Sequence, residues 1–387
     1  MKLGEVCDIY AGQSAPQGDE NYSSQGTPFI KAGNLEALTS GELESNIQQV
    51  SEGVAKSHKL VKYKKGSVVF AKSGMSCMKG YIYTLQGDCY VVSHLAILTP
   101  KQIESSYLNY CLQIYKPCSL AKEAAFPSIT LKELSSFEVP VPTISEQQRI
   151  VALLDAEFAK IDALKANAEK NLQNAKDLFQ AALKKELEPK EGWSATTISN
   201  VSKSSENIKW KNVIASEKFK YIDLTSVDRS SHSIVDPQII TSQNAPSRAQ
   251  RIVKTNDVIF ATTRPTLRRL CIISKEYDGN ICSTGFCVIR PHLSVLPKWI
   301  YYNLSTEEFY DYVEPLQTGA TYPAITDNDI RNYTIYLPSI EDQQSIVSRI
   351  DTLNEKCKAL QANYEKTLSL CDDLKQALLR KAFNGEI

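Results

Sequence analysis

The chain carries the same message twice. Thr143-Ile144-Ser145-Glu146-Gln147-Gln148-Arg149-Ile150-Val151 returns 196 positions later as Ser339-Ile340-Glu341-Asp342-Gln343-Gln344-Ser345-Ile346-Val347. The match runs on without a gap through Asp155 and Asp351, Leu164 and Leu360, and Leu183-Lys184-Lys185 with Leu379-Arg380-Lys381. A repeat this long is no solenoid, whose units run about 20–50 residues; it is a duplicated domain followed by a duplicated helix. Fainter matches lie upstream. Leu3-Gly4-Glu5-Val6 answers to Ile198-Ser199-Asn200-Val201, and Val68-Val69-Phe70-Ala71 to Val258-Ile259-Phe260-Ala261. Phe126-Pro127-Ser128-Ile129-Thr130 answers to Tyr322-Pro323-Ala324-Ile325-Thr326. The offset drifts between 190 and 196, so insertions sit in loops while apolar framework positions agree. Two domains share a scaffold and differ on their surfaces, and such a chain most simply binds something that itself has two halves.

The 387 residues suffice for two or three domains, each with its own core. Forty-four basic residues balance forty-four acidic ones, so the chain as a whole is not an electrostatic glove for a polyanion. Ten cysteines show no Cys-x-x-Cys pair, and the spacing of Cys271, Cys282 and Cys287 does not suit zinc. They read as free, buried thiols in a reducing cytoplasm. No apolar run approaches the roughly 18–20 residues that span a bilayer, so a soluble protein without a membrane partner is expected.

Residues 1–142 and 188–338 read as β-rich mixed domains, with short β-branched runs bounded by Gly, Asn, Asp and Lys. Short helices are expected around residues 106–112 and 299–304. Each domain ends on prolines, Val139-Pro140-Val141-Pro142 and Tyr336-Leu337-Pro338, which push the chain into extended geometry. A capping box follows in each case, Thr143 with Glu146 and Ser339 with Asp342, opening long helices over 143–187 and 339–387. Both helices show a 4-3-4-3 rhythm. In the first it runs Ile150, Leu154, Glu157, Ile161, Leu164, Ala168, Asn171, Ala175, Leu178, Ala182; in the second Ile346, Ile350, Leu353, Cys357, Leu360, Tyr364, Thr367, Cys371, Leu374, Leu378. Eight and nine of these ten positions are apolar, which predicts a coiled-coil seam on rods of about 60 Å. The expected fold is α+β: two similar domains, each followed by a long helix, the helices pairing antiparallel under an internal pseudo-two-fold. Heptad helices often serve oligomerisation alone, but helices placed between and after two domains have the geometry of a ruler.

Catalytic motifs for phosphate, dinucleotide, zinc-hydrolase or acyl chemistry are missing, and no cofactor or metal site is expected. The four histidines are scattered, and His94, in an apolar run, reads as structural. Basic residues, by contrast, gather at one place of both repeats. The first domain has Lys56, Lys59, Lys62, Lys64, Lys65, Lys72 and Lys79 around its Val68-Val69-Phe70 run; the second has Arg248, Arg251, Lys254, Arg264, Arg268 and Arg269 around Val258-Ile259-Phe260. Such charges are usually mere solvated surface, yet basic character kept at one scaffold position by two divergent sequences points to a shared polyanion. Side chains between the charges differ, Ala71-Lys72-Ser73-Gly74 against Ala261-Thr262-Thr263-Arg264. Lys, Ser and Thr hold phosphates, and Arg reads base edges bidentately. The expected DNA-binding set is therefore Lys62, Lys64, Lys65, Lys72, Lys79, Arg251, Lys254, Thr263, Arg264, Arg268 and Arg269.

The chain resembles the specificity subunit of type I restriction–modification enzymes, over essentially its full length. The resemblance rests on the Pro-x-x-x-Glu-Gln pattern of Pro142 to Gln147, its partner Pro338-Ser339-Ile340-Glu341-Asp342-Gln343, and the closing Lys381-Ala382-Phe383-Asn384-Gly385-Glu386-Ile387. Asp342 stands where the family commonly has Glu, a departure expected to leave the fold intact. The resemblance implies two target-recognition domains on paired helices and no catalytic centre of the chain's own. It also implies a complex with duplex DNA carrying a bipartite site, with two modification (methyltransferase) subunits, and with restriction subunits. The alternatives are a recognition subunit for a stand-alone methyltransferase or bifunctional restriction enzyme, and a coiled-coil adaptor whose domains bind protein.

Overall fold

The computed structural model describes residues 1–121 and 126–387. Contacts gather the chain into two units, Met1–Ala168 with Thr367–Ile387, and Glu169–Lys366. Each unit holds one globular domain together with a piece of both long helices, Ile144–Leu187 and Ile340–Phe383. Among the described residues no helix is long and apolar enough to cross a membrane.

In the first unit a four-stranded antiparallel sheet runs in the order Cys7–Ala11, Leu95–Pro100, Val68–Ala71, Ile82–Thr84. The strand Val68–Ala71 is buried at all four positions, and period-two geometry explains why an unbroken apolar run is needed there. Val68 and Phe70, with Ala96 and Leu98, face a core closed by Tyr107, Ile150, Leu154, Leu379 and Ala382. Val69 and Ala71, with Leu95 and Ile97, face a second core against a smaller sheet of Gln49–Val50, Thr27–Ile30 and Tyr90–Val91. The layers are helix, sheet, sheet.

The second unit repeats this plan. Its central sheet has the order Ser202–Ser204, Phe286–Pro291, Val258–Ala261, Leu270–Ile272. Val258, Phe260, Cys287 and Ile289 face the helical core with Trp299, Ile346 and Ile350; Ile259, Ala261, Phe286 and Val288 face the other side. The smaller sheet differs. It gains a fourth strand, Ala249–Ile252, where the first unit has only the isolated bridge Tyr63 to Cys89. The expected short helices lie at Ser105–Ile114 and Pro297–Asn303.

The Gln of each Glu/Asp-Gln pair joins helix to domain. Gln147 is fully buried; its Nε2 donates to the Pro142 carbonyl at 2.8 Å and its Oε1 accepts from the Glu104 amide at 2.8 Å. Gln343 does the same with the carbonyls of Pro338 and Ser294 and the amide of Leu296. A buried amide with both ends satisfied fixes the direction in which the helix leaves the domain. The capping boxes are only half made. Thr143 Oγ1 accepts from the Glu146 amide and Ser339 Oγ from the Asp342 amide. Glu146, however, turns to a two-point ion pair with Arg149, and Asp342, a carbon shorter, accepts from the Ser339 hydroxyl.

The helices pair antiparallel in the first unit. Lys375 bonds Asp162 at 2.5 Å and Lys165 bonds Asp372 at 2.8 Å, so the numbers fall on one helix as they rise on the other. In the second unit Arg349 pairs with Glu186. The seam is narrower than its rhythm predicts. Ile150, Leu154, Ile161, Ala168 and Cys371 are buried in the first unit, and Ala175, Ile346, Ile350 and Cys357 in the second. The alternate apolar positions Leu164, Leu178, Leu360 and Leu374 stay 41% to 56% exposed. Each helix end divides its apolar arc between its partner helix and its own domain, as Ile150 and Leu154 do in the first core, and the remaining heptad position is left facing out.

Candidate nucleic-acid interface

The central strand has two ends with different surroundings. At the end where it starts, the Gly66 carbonyl accepts from Ser105 Oγ, and the helix that Ser105 opens is tied through Glu104 to Gln147. This end faces the root of the long helix. At the other end three loops converge on a tip. In the first unit the Lys72 amide donates to the His94 carbonyl at 2.9 Å, the Ile129 amide to the Lys72 carbonyl at 2.8 Å, and the Gly74 amide to the Pro127 carbonyl at 2.9 Å. The second unit builds the same frame: Thr262 amide to Gly285 carbonyl at 2.8 Å, Ile325 amide to Thr262 carbonyl at 2.9 Å, Arg264 amide to Pro323 carbonyl at 2.6 Å. Arg264 takes a left-handed backbone there, with φ of 50°.

The basic residues picked out in the sequence do not form one patch. Lys72, Thr263 and Arg264 stand at the tips, with Arg264 exposed and its guanidinium 5.0 Å from the Tyr322 ring. Lys62 lies 5.7 Å from the Tyr90 ring and 4.0 Å from Glu52. Lys64 and Lys65 lie towards the root end; Lys64 pairs with Asp88 at 2.9 Å, while the Lys65 amide donates to the same carboxylate. That carboxyl is held below its usual range chiefly by the Lys64 hydrogen bond. Lys254 is exposed in the corresponding turn of the second unit, its amide bonded to Asp257.

Four further residues are engaged internally. Lys79 pairs with Glu36 at 3.0 Å. Arg251, on the strand absent from the first unit, pairs with Asp327 at 2.6 Å and is largely buried. Arg268 forms a two-point pair with Glu307 and lies 4.3 Å from the Tyr310 ring, beside residues of both long helices such as Asp177 and Lys358. Arg269 donates to the carbonyls of Leu224 and Val227, bracing the loop that follows the strand Phe219–Ile222. Sequence spacing could not separate these from the tip, because their acceptors come from distant segments of the chain.

His94 is exposed, not buried in its apolar run: it occupies the turn after Val91-Val92, and its Nδ1 lies 3.1 Å from Ser73 Oγ. It is thus a tip residue that sequence reading took for a structural one. The aromatic before each tip proline was also missed. Phe126 is 79% and Tyr322 67% exposed. Their repeat-equivalence was visible in sequence; their exposure was not. The cysteines are all free, nine of the ten buried, and burial pushes the Cys111 and Cys271 thiols up to about 12.

A chain that mounts two copies of one loop-tipped domain on antiparallel helices belongs to a class defined by duplication, one scaffold presenting two different tips. The model of the family described as Type I restriction modification DNA specificity domain matches residues 1–174 and again 190–369, and the chain belongs to that family. It is 25% identical over 292 residues to the type I restriction enzyme EcoBI specificity subunit of Escherichia coli, covering 67% of this chain and 61% of that protein. It is 21% identical over 409 residues to the EcoDI specificity subunit of Escherichia coli, covering 92% and 88%. The HindI specificity subunit of Haemophilus influenzae is 27% identical over 149 residues, 38% of this chain and 32% of that one. The chain thus spans less than two thirds of the EcoBI and HindI proteins. In fold, it is similar to a chain from a structure of complex assembly and conformational transition of the type I R-M system, with a TM-score of 0.77, 20% identity, and 100% and 97% of the two chains covered. The crystal structure of the HsdS subunit from Thermoanaerobacter tengcongensis gives a TM-score of 0.57 at 20% identity, covering 100% and 96%.

Proposed function

We propose that this chain is the sequence-specific DNA-binding subunit of a type I restriction–modification complex, cytoplasmic and without a catalytic centre of its own. Each tip reads one half of a bipartite duplex site. The observation that carries this reading is the loop frame built twice with the same backbone bonds and different side chains, Lys72 and Gly74 in one against Thr262 and Arg264 in the other. Phosphate contacts position a protein and base contacts specify, so a constant frame with variable side chains suits two readers of different short sequences. Lys72, Thr263 and Arg264 are the favoured contacts, with Lys62, Lys64, Lys65 and Lys254 as flanking phosphate partners. Lys79, Arg251, Arg268 and Arg269 support the loops.

The test is a chimera carrying another subunit's residues 1–142. It should change one half of the methylated motif, mapped genome-wide, and leave the other intact. A change in both halves would remove the two-reader model.

The long helices fix the spacing and dock adenine methyltransferase subunits, one per unit; restriction (translocase) subunits join the same complex. Supporting this, the ion-pair register sets Leu164 level with Leu374 in the first unit, and the repeat relates these to Leu360 and Leu178 in the second, two equivalent apolar pairs for two copies of one partner. Helices of 44 residues measure about 66 Å. Deleting one heptad from each, residues 168–174 and 364–370, spares the four leucines and shortens the rod by about 10 Å. The preferred spacer should shrink by about three base pairs at the roughly 3.4 Å rise of each. Methylation of the original spacing at the original rate would show that the helices only dock partners.

A further inference from the structure

Two aromatic rings held in water are the largest unexplained feature of the tips. Phe126 and Tyr322 occupy equivalent places in the repeat, each directly before the proline whose carbonyl accepts from the post-strand loop, Gly74 to Pro127 and Arg264 to Pro323. One residue further on, Ser128 and Ala324 pair with Ser73 and Thr263 as isolated bridges. The rings are therefore carried on a frame bonded from both sides. The facing post-strand loop has diverged. Met75, exposed beside the first ring's loop, stands where the second unit has Pro265, and Lys72 stands where it has Thr262.

We propose that Phe126 and Tyr322 insert into the base stack, one at each half-site, as sequence-independent wedges beside the groups that read bases. The proposal rests on the DNA reading above and adds the residues that deform the duplex. A feature kept by both domains while their reading side chains differ must meet something common to both half-sites, and the faces of stacked bases are common to all DNA. The charge of the surroundings favours DNA over protein. The tip loops, residues 71–76, 92–95 and 126–130 with 261–267, 284–286 and 320–325, contain no Asp or Glu, while Arg264 lies 5.0 Å from the Tyr322 ring and Lys72 belongs to the backbone frame of the first tip. Apolar side chains wedged between base steps partly unstack and kink the duplex, and the bend brings more protein surface into contact.

The test uses the full chain, alone and with methyltransferase subunits, on a duplex selected from a random pool and substituted position by position with 2-aminopurine. The wild type should raise fluorescence at one step in each half-site. Phe126→Ala should abolish the rise in one half only and Tyr322→Ala in the other. Each should weaken binding about 5- to 150-fold, the worth of one base–aromatic stack. Both should leave the salt slope unchanged, because a neutral residue releases no counterions. Phe126→Tyr and Tyr322→Phe, which keep the ring, should bind as the wild type does. Alanine variants with wild-type affinity and fluorescence would overturn the proposal, and if they lost only methyltransferase capture the rings would face protein. Absence of salt-dependent duplex binding by the wild type would instead remove the DNA reading itself.

Discussion

In the first domain Tyr107 fills the space above the helix root, its hydroxyl donating to the Pro140 carbonyl at 3.1 Å; in the second, Trp299 fills it and the indole N–H donates to the Tyr336 carbonyl at 3.2 Å. Both rings are fully buried. The bond and the buried bulk are kept while the side chain changes, because a core tolerates exchange that preserves volume and satisfies its polar atoms. At the tips the opposite holds. The backbone bonds are kept, and the side chains change from ammonium to hydroxyl at Lys72 and Thr262 and from hydrogen to guanidinium at Gly74 and Arg264. The root constrains shape, and the tip leaves chemistry free to vary on a fixed shape.

The largest effect that would break this comparison is at the root. Trp299→Ala should cost about 3–5 kcal/mol, as large aromatic truncations do in cores. All three tryptophans, Trp193, Trp210 and Trp299, lie within Glu169–Lys366, so intrinsic fluorescence follows the second unit alone. Fluorescence-detected denaturation should therefore report the loss in Trp299→Ala. Tyr107→Ala, of similar size, should leave that transition in place and move only the circular-dichroism transition of the first unit. Transitions that shift together would mean that the two units unfold as one body.

A smaller effect sharpens the contrast at the tips. Arg264→Ala should relax one half-site and cost about 1–3 kcal/mol in binding, the worth of a bidentate base contact. Lys72→Ala should weaken all sequences and lower the salt slope by about 0.9, one phosphate's worth. Affinity measured on matched and half-mismatched duplexes at several salt concentrations separates the two. Equal losses on every duplex for Arg264→Ala would make it another phosphate contact.

Much of the architecture was legible in the sequence because the repeat is an alignment contained in one chain. It exposed the doubled domain, the proline ends, the Ser/Thr openings and the long helices. That the helices pair followed from seams of equal length, and the antiparallel sense went with the expected pseudo-two-fold. The seam's width did not, since period alone cannot say that Leu164 and Leu178 look outward while Ile161 and Ala175 look in. The site was read less well. Lys79, Arg251, Arg268 and Arg269 look like free cations in sequence, but their acceptors, Glu36, Asp327, Glu307 and the carbonyls of Leu224 and Val227, come from distant segments. Ring exposure at Phe126 and Tyr322 is likewise a property of the folded surface.

Phe383 stacks on Tyr107 at 5.2 Å, and Leu379 and Ala382 are buried in the first domain's core. In a chain made from its N-terminus, residues 1–168 leave the ribosome well before residues 367–387, with the 198 residues 169–366 of the second unit in between. At about 5–20 residues per second that gap lasts on the order of 10–40 s. Throughout it the first domain waits with an apolar opening beside Tyr107. The second unit has all its parts first, so the order in which the domains close reverses the order in which they are made.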